Sequence, residues 1–217
     1  MKKTLFSFAF IAIFVTIAVC IGCSGGDKPN KLAIDCGFLE IDTAGGSFTD
    51  SRDGQVYRTV KIGAHTWMAE NLNYKSDTSW CFDKDKKNCR KYGRLYDWDT
   101  AMAVCPAGWR LPARAEWDDL IGAAGGILVA GKALKATRPQ WDGTDSFGFS
   151  ALPVEESYLR NGSFNSASIF GVWWSAADFG SSGAYRRNVR SEHEYVYEYL
   201  DDKSYGFSVR CVMSNNT

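Results

Sequence analysis

The spacing of hydrophobic and polar residues changes period several times along this chain, and each change marks an element. Val56, Arg58, Val60 and Ile62 alternate with Tyr57, Thr59 and Lys61, the period-two signature of a strand. Gly63-Ala64 interrupts and 65–68 runs on, so a hairpin is predicted. Farther along, Leu95, Trp98, Met102 and Ala103 recur at near-helical spacing, with Asp97 and Asp99 early, where carboxylates suit the positive end of the helix dipole. A first helix is predicted over 95–104. Between these patterns, 77–92 is polar and contains Cys81 and Cys89, and it reads as a loop closed on itself.

The densest structural instruction lies in 105–120. Pro106 cannot continue the first helix and Gly108 supplies turn freedom. Pro112 presets φ for a second helix whose apolar side is Trp117, Leu120 and Ile121. That helix is expected from about Pro112 to Ala124, ended by Gly125-Gly126. Ala113 stands where a Ser or Thr would cap it and pair with Glu116, so half of a capping box is missing. Beyond it, 147–152, 169–175, 185–190, 195–200 and 206–213 are strand candidates separated by Gly, Ser, Asn and Asp. Two helices early, followed by a mainly antiparallel twisted sheet with long loops, predict an α+β domain.

The amino terminus follows a different rule. Met1-Lys2-Lys3 and a nearly unbroken apolar run over 5–22 read as a secretory signal, 1–22. The run ends at Ile21-Gly22-Cys23-Ser24, which resembles a bacterial lipobox with Cys23 as the acylated, palmitate-bearing residue; an uncleaved membrane anchor is the alternative. Either reading places the folded part outside the cytoplasm, tethered to a membrane and, for the lipoprotein, at the outer membrane or cell surface. Residues 23–47 are rich in Gly, Ser, Asp and Lys and read as a flexible tether ahead of one domain over 48–214. With 217 residues, of which 45% are hydrophobic, the chain can fill one such core and is short for two. The formal charge is zero and falls to −2 when Lys2 and Lys3 leave with the signal, which argues against a nucleic-acid partner.

Compartment decides the cysteines. Cys20 leaves with the signal and Cys23 carries lipid, so Cys36, Cys81, Cys89, Cys105 and Cys211 remain. In an oxidising compartment the expected pairs are Cys81 with Cys89 and Cys105 with Cys211, leaving Cys36 free in the tether. A zinc site is the competing use, but there is no CxxC and only two histidines exist.

Several ordered stretches carry a resemblance. They are 48–57, 62–74 with Glu70-Asn71-Leu72-Asn73-Tyr74, 92–96 with Tyr92-Gly93-Arg94-Leu95-Tyr96, 105–117, 148–153 and 205–212. Together, over about 47–213, they resemble the Fibrobacter succinogenes major paralogous domain, which implies an exported bacterial lipoprotein. Arg110-Leu111-Pro112 with Ala115-Glu116-Trp117, and Gly206-Phe207 with Arg210, are also similar to formylglycine-generating enzymes. That likeness implies a C-type-lectin-like fold, in which a disulfide ties the first helix to the last strand, as Cys105 and Cys211 would here. Those enzymes hold copper with two late thiols. No cysteine lies between Cys105 and Cys211, so the activity does not carry over, and the calcium signatures of sugar-binding lectins are absent too.

Candidate chemistry is sparse. His65 in the hairpin and His193 in a predicted turn lack a nucleophile-elbow context and are expected at the surface. Asp83, Asp85 and Asn88 hint at a calcium loop without the later acid or glycine that would complete it. Trp67, Trp98, Trp109 and Trp117 are expected in the core, and Tyr195, Tyr197 and Tyr199 are expected to share one core-facing side. Adjacent Trp173 and Trp174 point to opposite faces of a strand, which leaves one for solvent. The loops around 160–165 and 185–188 mix aromatic, Arg and Asn groups as binding surfaces do. The expected surface is Arg160, Asn161, Phe164, Trp174, Tyr185, Arg187 and Asn188, for a glycan or a surface protein. The expectation is a non-catalytic binding module with no cofactor and no metal. Its rivals are an oxidase related to the formylglycine generators and a purely structural envelope protein.

Overall fold

A computed structural model describes residues 45–154 and 169–214. They form an α+β arrangement of two mostly antiparallel sheets. The hairpin lies where the alternation placed it: β2 (Val56–Ile62) turns at Gly63-Ala64 into β3 (His65–Met68). A strand ahead of it, β1 (Gly46–Thr49), pairs with β2, so the end of the predicted tether already belongs to the sheet.

The disulfide loop is more ordered than its polarity suggested. It holds β4 (Ser79–Trp80), a 3₁₀ turn (Phe82–Lys84) and helix α1 (Lys86–Tyr92). Asp85 caps α1 by accepting from the Lys87 N–H, and Asn88 Nδ2 donates to the Phe82 carbonyl at 3.0 Å. Two of the residues that hinted at calcium, Asp85 and Asn88, therefore serve the local backbone.

The first predicted helix needs two corrections. Leu95–Tyr96 is a strand, β5, and the helix α2 (Trp98–Val104) begins after it, where Asp97 Oδ1 accepts from the Thr100 N–H at 2.9 Å. Its buried face is Trp98, Ala101 and Val104, while Met102 is exposed. An Asp that caps the backbone fixes where a helix begins, whatever the hydrophobic period on either side of it. After β6 (Trp109–Arg110) comes α3 (Arg114–Ala123), which buries Glu116, Trp117, Leu120 and Ile121.

Ala113 is the residue ahead of α3's first turn, as the sequence implied, so Pro112 lies one residue before the cap. Its N–H donates to Glu116 Oε2 at 2.8 Å, while its methyl group can accept nothing. Ala113→Ser should complete the reciprocal pair and raise stability by about 1 kcal/mol, read as a higher melting temperature. An unchanged melting temperature would contradict this helix boundary.

The later strands differ in length and division from what the sequence suggests. After α4 (Ala130–Leu134), the stretch 147–152 makes only an isolated bridge from Ala151 to Lys135. The sheet continues with β7 (Phe170–Phe179), β8 (Gly183–Arg190) and β9 (Val196–Asp202). The predicted strand over 206–213 is two short ones in different sheets: β10 (Phe207–Ser208) and β11 (Val212–Met213). The five-stranded sheet runs β1-β2-β3-β11-β6 and the six-stranded one β4-β5-β10-β7-β8-β9, with β10 and β7 parallel. Val209, Arg210 and Cys211 carry the chain from one sheet to the other.

Both faces of β7 are covered along its first half. Trp173 enters a core with Val60, Ile62, Trp67, Trp117, Leu120, Ile121 and Phe149. Its neighbour Trp174 enters a second core with Tyr57, Met68, Tyr96, Trp98, Val104 and Phe207. Both tryptophans are therefore buried, which corrects the expectation that one faces solvent. Period-two alternation assigns the faces correctly, but the helices α3 and α2 lie on opposite sides and bury both. The disulfides join Cys81 to Cys89 and Cys105 to Cys211. Among the described residues no helix is long and apolar enough to cross a membrane.

Candidate functional site

The two cores meet at Asn71, just beyond β3. Its Oδ1 accepts from Trp173 Nε1 at 2.8 Å and from Arg210 Nη2 and Nε at 2.8 and 3.2 Å. Its Nδ2 donates to the Tyr92 carbonyl at 2.9 Å and reaches Ser208 Oγ at 3.3 Å. One buried amide thus ties β3, α1, β7, β10 and the crossover into β11 together, and every polar atom of its side chain is bonded.

Gly93, which ends α1, makes this junction possible. Its φ is +79°, and a Cβ there would lie 2.7 Å from Asn71 Cβ and 2.9 Å from the Asn71 and Leu72 carbonyl oxygens. Only glycine allows α1 to come this close.

Arg210 is the second half of the junction. Its side chain is fully buried, and Nη1 donates to the Phe149 carbonyl. The guanidinium lies 4.2 Å from the Phe149 ring centroid and 5.8 Å from that of Trp173. No carboxylate pairs with it among the described residues. Burial pulls its pKa down to about 9, against the weaker attraction of Glu70 and Asp145.

Above Arg210 opens a cleft of about 320 Å³. Its walls come from the end of β3 (Ala69, Glu70, Asn71, Asn73), from α1 (Arg90, Lys91, Tyr92, Gly93) and from 136–152 (Thr137, Gln140, Asp145, Ser150, Leu152). Arg58 and Gln55 stand at one side. The two carboxylates of the cleft are already engaged. Glu70 accepts from Arg58 Nε and, at 2.6 Å, from the Arg58 N–H. Asp145 accepts from the Ser150 N–H and hydroxyl, both at 2.7 Å. Asn73 donates to Gln55 Oε1 at 3.2 Å, and its own buried Oδ1 has no partner among the described residues.

Of the surface expected from the sequence, the described residues include Trp174, Tyr185, Arg187 and Asn188. Arg160, Asn161 and Phe164 lie outside the described residues, as does Cys23. Trp174 and Asn188 are buried, the first with its Nε1 on the Tyr96 carbonyl. Arg187 is buried too, reaching Asp118 Oδ1 at 2.6 Å and Glu198 Oε2 at 2.7 Å. Their burial leaves these three no route to a ligand. Tyr185 alone stays partly open, under the guanidinium of Arg114 at 4.7 Å.

The histidines and tyrosines also move. His65 is mostly covered, with Nε2 3.3 Å from Asp119 Oδ2 and Nδ1 3.6 Å from Glu116 Oε1, because α3 packs over the hairpin. His193 Nδ1 lies 2.7 Å from the Tyr197 hydroxyl. Tyr195, just before the edge strand β9, and Tyr199 within it are exposed, contrary to the core expected for that face.

Charge pairing sets the acid response. Burial raises the pKa of Glu116, but hydrogen bonds from Arg110 and the Ala113 N–H outweigh it, so the pKa falls below the ordinary value. The guanidinium of Arg52 does the same for Asp50, against burial. In Asp142 burial is again the largest influence and is outweighed by Lys135 and the Glu192 N–H. Folded pKa values below the unfolded ones stabilise the protein fully above the ordinary carboxylate range, near 4, and that contribution is lost as pH falls through it. Melting temperature should hold between pH 7 and 6 and drop below about pH 4. Glu116→Gln should flatten part of that drop, and an identical acid profile in the variant would contradict the assignment.

An α+β domain with two sheets pinned at one Asn–Arg junction, opening there into a polar cleft, defines the class as a disulfide-stapled scaffold carrying a concave site. The chain belongs to the Fibrobacter succinogenes major domain family, which matches residues 60–213. No curated protein and no solved structure matches it.

Proposed function

We propose that this chain is an exported, lipid-anchored binding module, tethered through Cys23, that uses a C-type-lectin-like scaffold to hold a small glycan and carries out no catalysis. The disulfide between the corner after α2 and the end of the chain supports the lectin-like scaffold. The observation that carries the binding reading is the cleft. Its volume of about 320 Å³ sits at the small end of the ~300–1,000 Å³ typical of small-ligand sites. Amide, hydroxyl and guanidinium groups from three separate segments converge on it, which suits sugar hydroxyls better than the broad, flat face of a protein partner.

The test is a glycan array probed with the full chain and with an Asn73→Ala, Gln140→Ala variant. Binding by the wild type that the variant loses supports the reading. Equal binding by both, no glycan bound, or capture of an envelope protein instead would overturn it. An oxidase would need a free thiol pair, whereas all four described cysteines are in disulfides. Thiol titration should find only Cys36 reactive, and copper should bind no tighter than to a Cys36→Ser variant.

A further inference from the structure

We infer that the ligand of this cleft is an acidic sugar, with its carboxylate seated over Arg210 and its hydroxyls on the amide and hydroxyl groups of the walls. The inference rests on the cleft being the binding site.

Three observations carry it. The first is the state of Arg210. A guanidinium taken out of water without a counter-ion is costly, and structures normally pair it. Here the compensation comes from one amide oxygen, one carbonyl and two aromatic faces. A guanidinium has five N–H groups, and these three bonds leave one hydrogen on each Nη without an acceptor among the described residues. Those hydrogens stay inside the protein, and what reaches a ligand in the cleft is the field of an unpaired positive charge.

The second observation is the charge balance of the lining. Arg58, Arg90, Lys91 and Arg210 face Glu70 and Asp145, and both of those acids are already bonded to cleft neighbours. The cleft is therefore cationic in a chain whose formal charge is zero. Arg210 is sealed from bulk water at the floor, so its field is weakly screened and acts on whatever enters above it.

The third is the rest of the wall. Asn73 keeps an unpartnered Oδ1, and the exposed Thr137 and Gln140 add donors and acceptors. These groups suit hydroxyls rather than a second acid. An acid together with several hydroxyls describes a uronic acid.

The experiment is isothermal titration of the full chain in detergent with D-glucuronate, D-glucose and inorganic phosphate. Glucuronate should bind about tenfold or more tightly than either of the others, the scale of one charge-assisted contact. Arg210→Gln, which removes the charge, should lose about that factor. Because this variant removes a buried junction, Arg90→Gln with Lys91→Gln on the exposed rim is the companion, and it should weaken glucuronate several-fold with a melting temperature close to that of the wild type. Glucose binding as well as glucuronate would overturn the acidic ligand and leave the glycan reading standing. Phosphate binding as well as glucuronate would overturn the sugar. Binding of none of the three, together with a blank glycan array, would overturn both.

Discussion

Replacing Asn71 with Ala is expected to lower the unfolding free energy by about 3–5 kcal/mol, the range for breaking one partner of a buried polar network. The size follows from what is left behind. Arg210, Trp173 Nε1, the Tyr92 carbonyl and Ser208 Oγ would all lose a partner at once, and burial keeps water from replacing it. Asn71→Asp should cost less than Ala. It keeps an oxygen beside Arg210 and adds the missing counter-charge, while losing the two donors. Urea denaturation with an unchanged slope measures both. A loss under about 1 kcal/mol for Ala would mean the junction is not what joins the two cores.

The second large effect is the Cys105–Cys211 disulfide, which spans 106 residues against 8 for Cys81–Cys89. Loop-closure entropy gives about 4.7 kcal/mol for the long loop and about 2.5 for the short one. Cys105→Ala with Cys211→Ala should therefore cost more than Cys81→Ala with Cys89→Ala. Ala is the replacement because Cys211 is fully buried in the second core and a serine hydroxyl there would lack a partner. Equal losses for the two double variants, by chemical denaturation, would show that the long loop is held closed by packing alone.

Much of the scaffold was legible in the sequence. The β2–β3 hairpin, the capless start of α3, both disulfides and the four buried tryptophans Trp67, Trp98, Trp109 and Trp117 all follow from local rules. The α+β class followed from the order of the patterns. What was not legible depends on the second layer. Whether Trp173 or Trp174 meets solvent is decided by helices that pack on opposite sides of β7, and no spacing within β7 carries that information. The same covering buried Arg187 and Asn188 and removed the surface expected over them. His65, in a hairpin strand, is expected at the surface, yet the acids of α3 close over it.

One residue of the cleft stands out in the sequence. Arg210 stands in the run Phe207-Ser208-Val209-Arg210-Cys211-Val212, a single charge among apolar and small residues. A charge in that setting is either at an edge or buried with a purpose. Asn71 gave less warning, because an amide after a strand reads first as a turn residue.

The most direct measurement follows the Arg210 Nε–H resonance of the full chain in detergent as D-glucuronate is added. A saturable shift of that signal, with little change at the tyrosines of β9, is what a carboxylate seated over Arg210 predicts. An Arg210 signal that stays fixed while glucuronate moves resonances elsewhere would contradict the placement of the site.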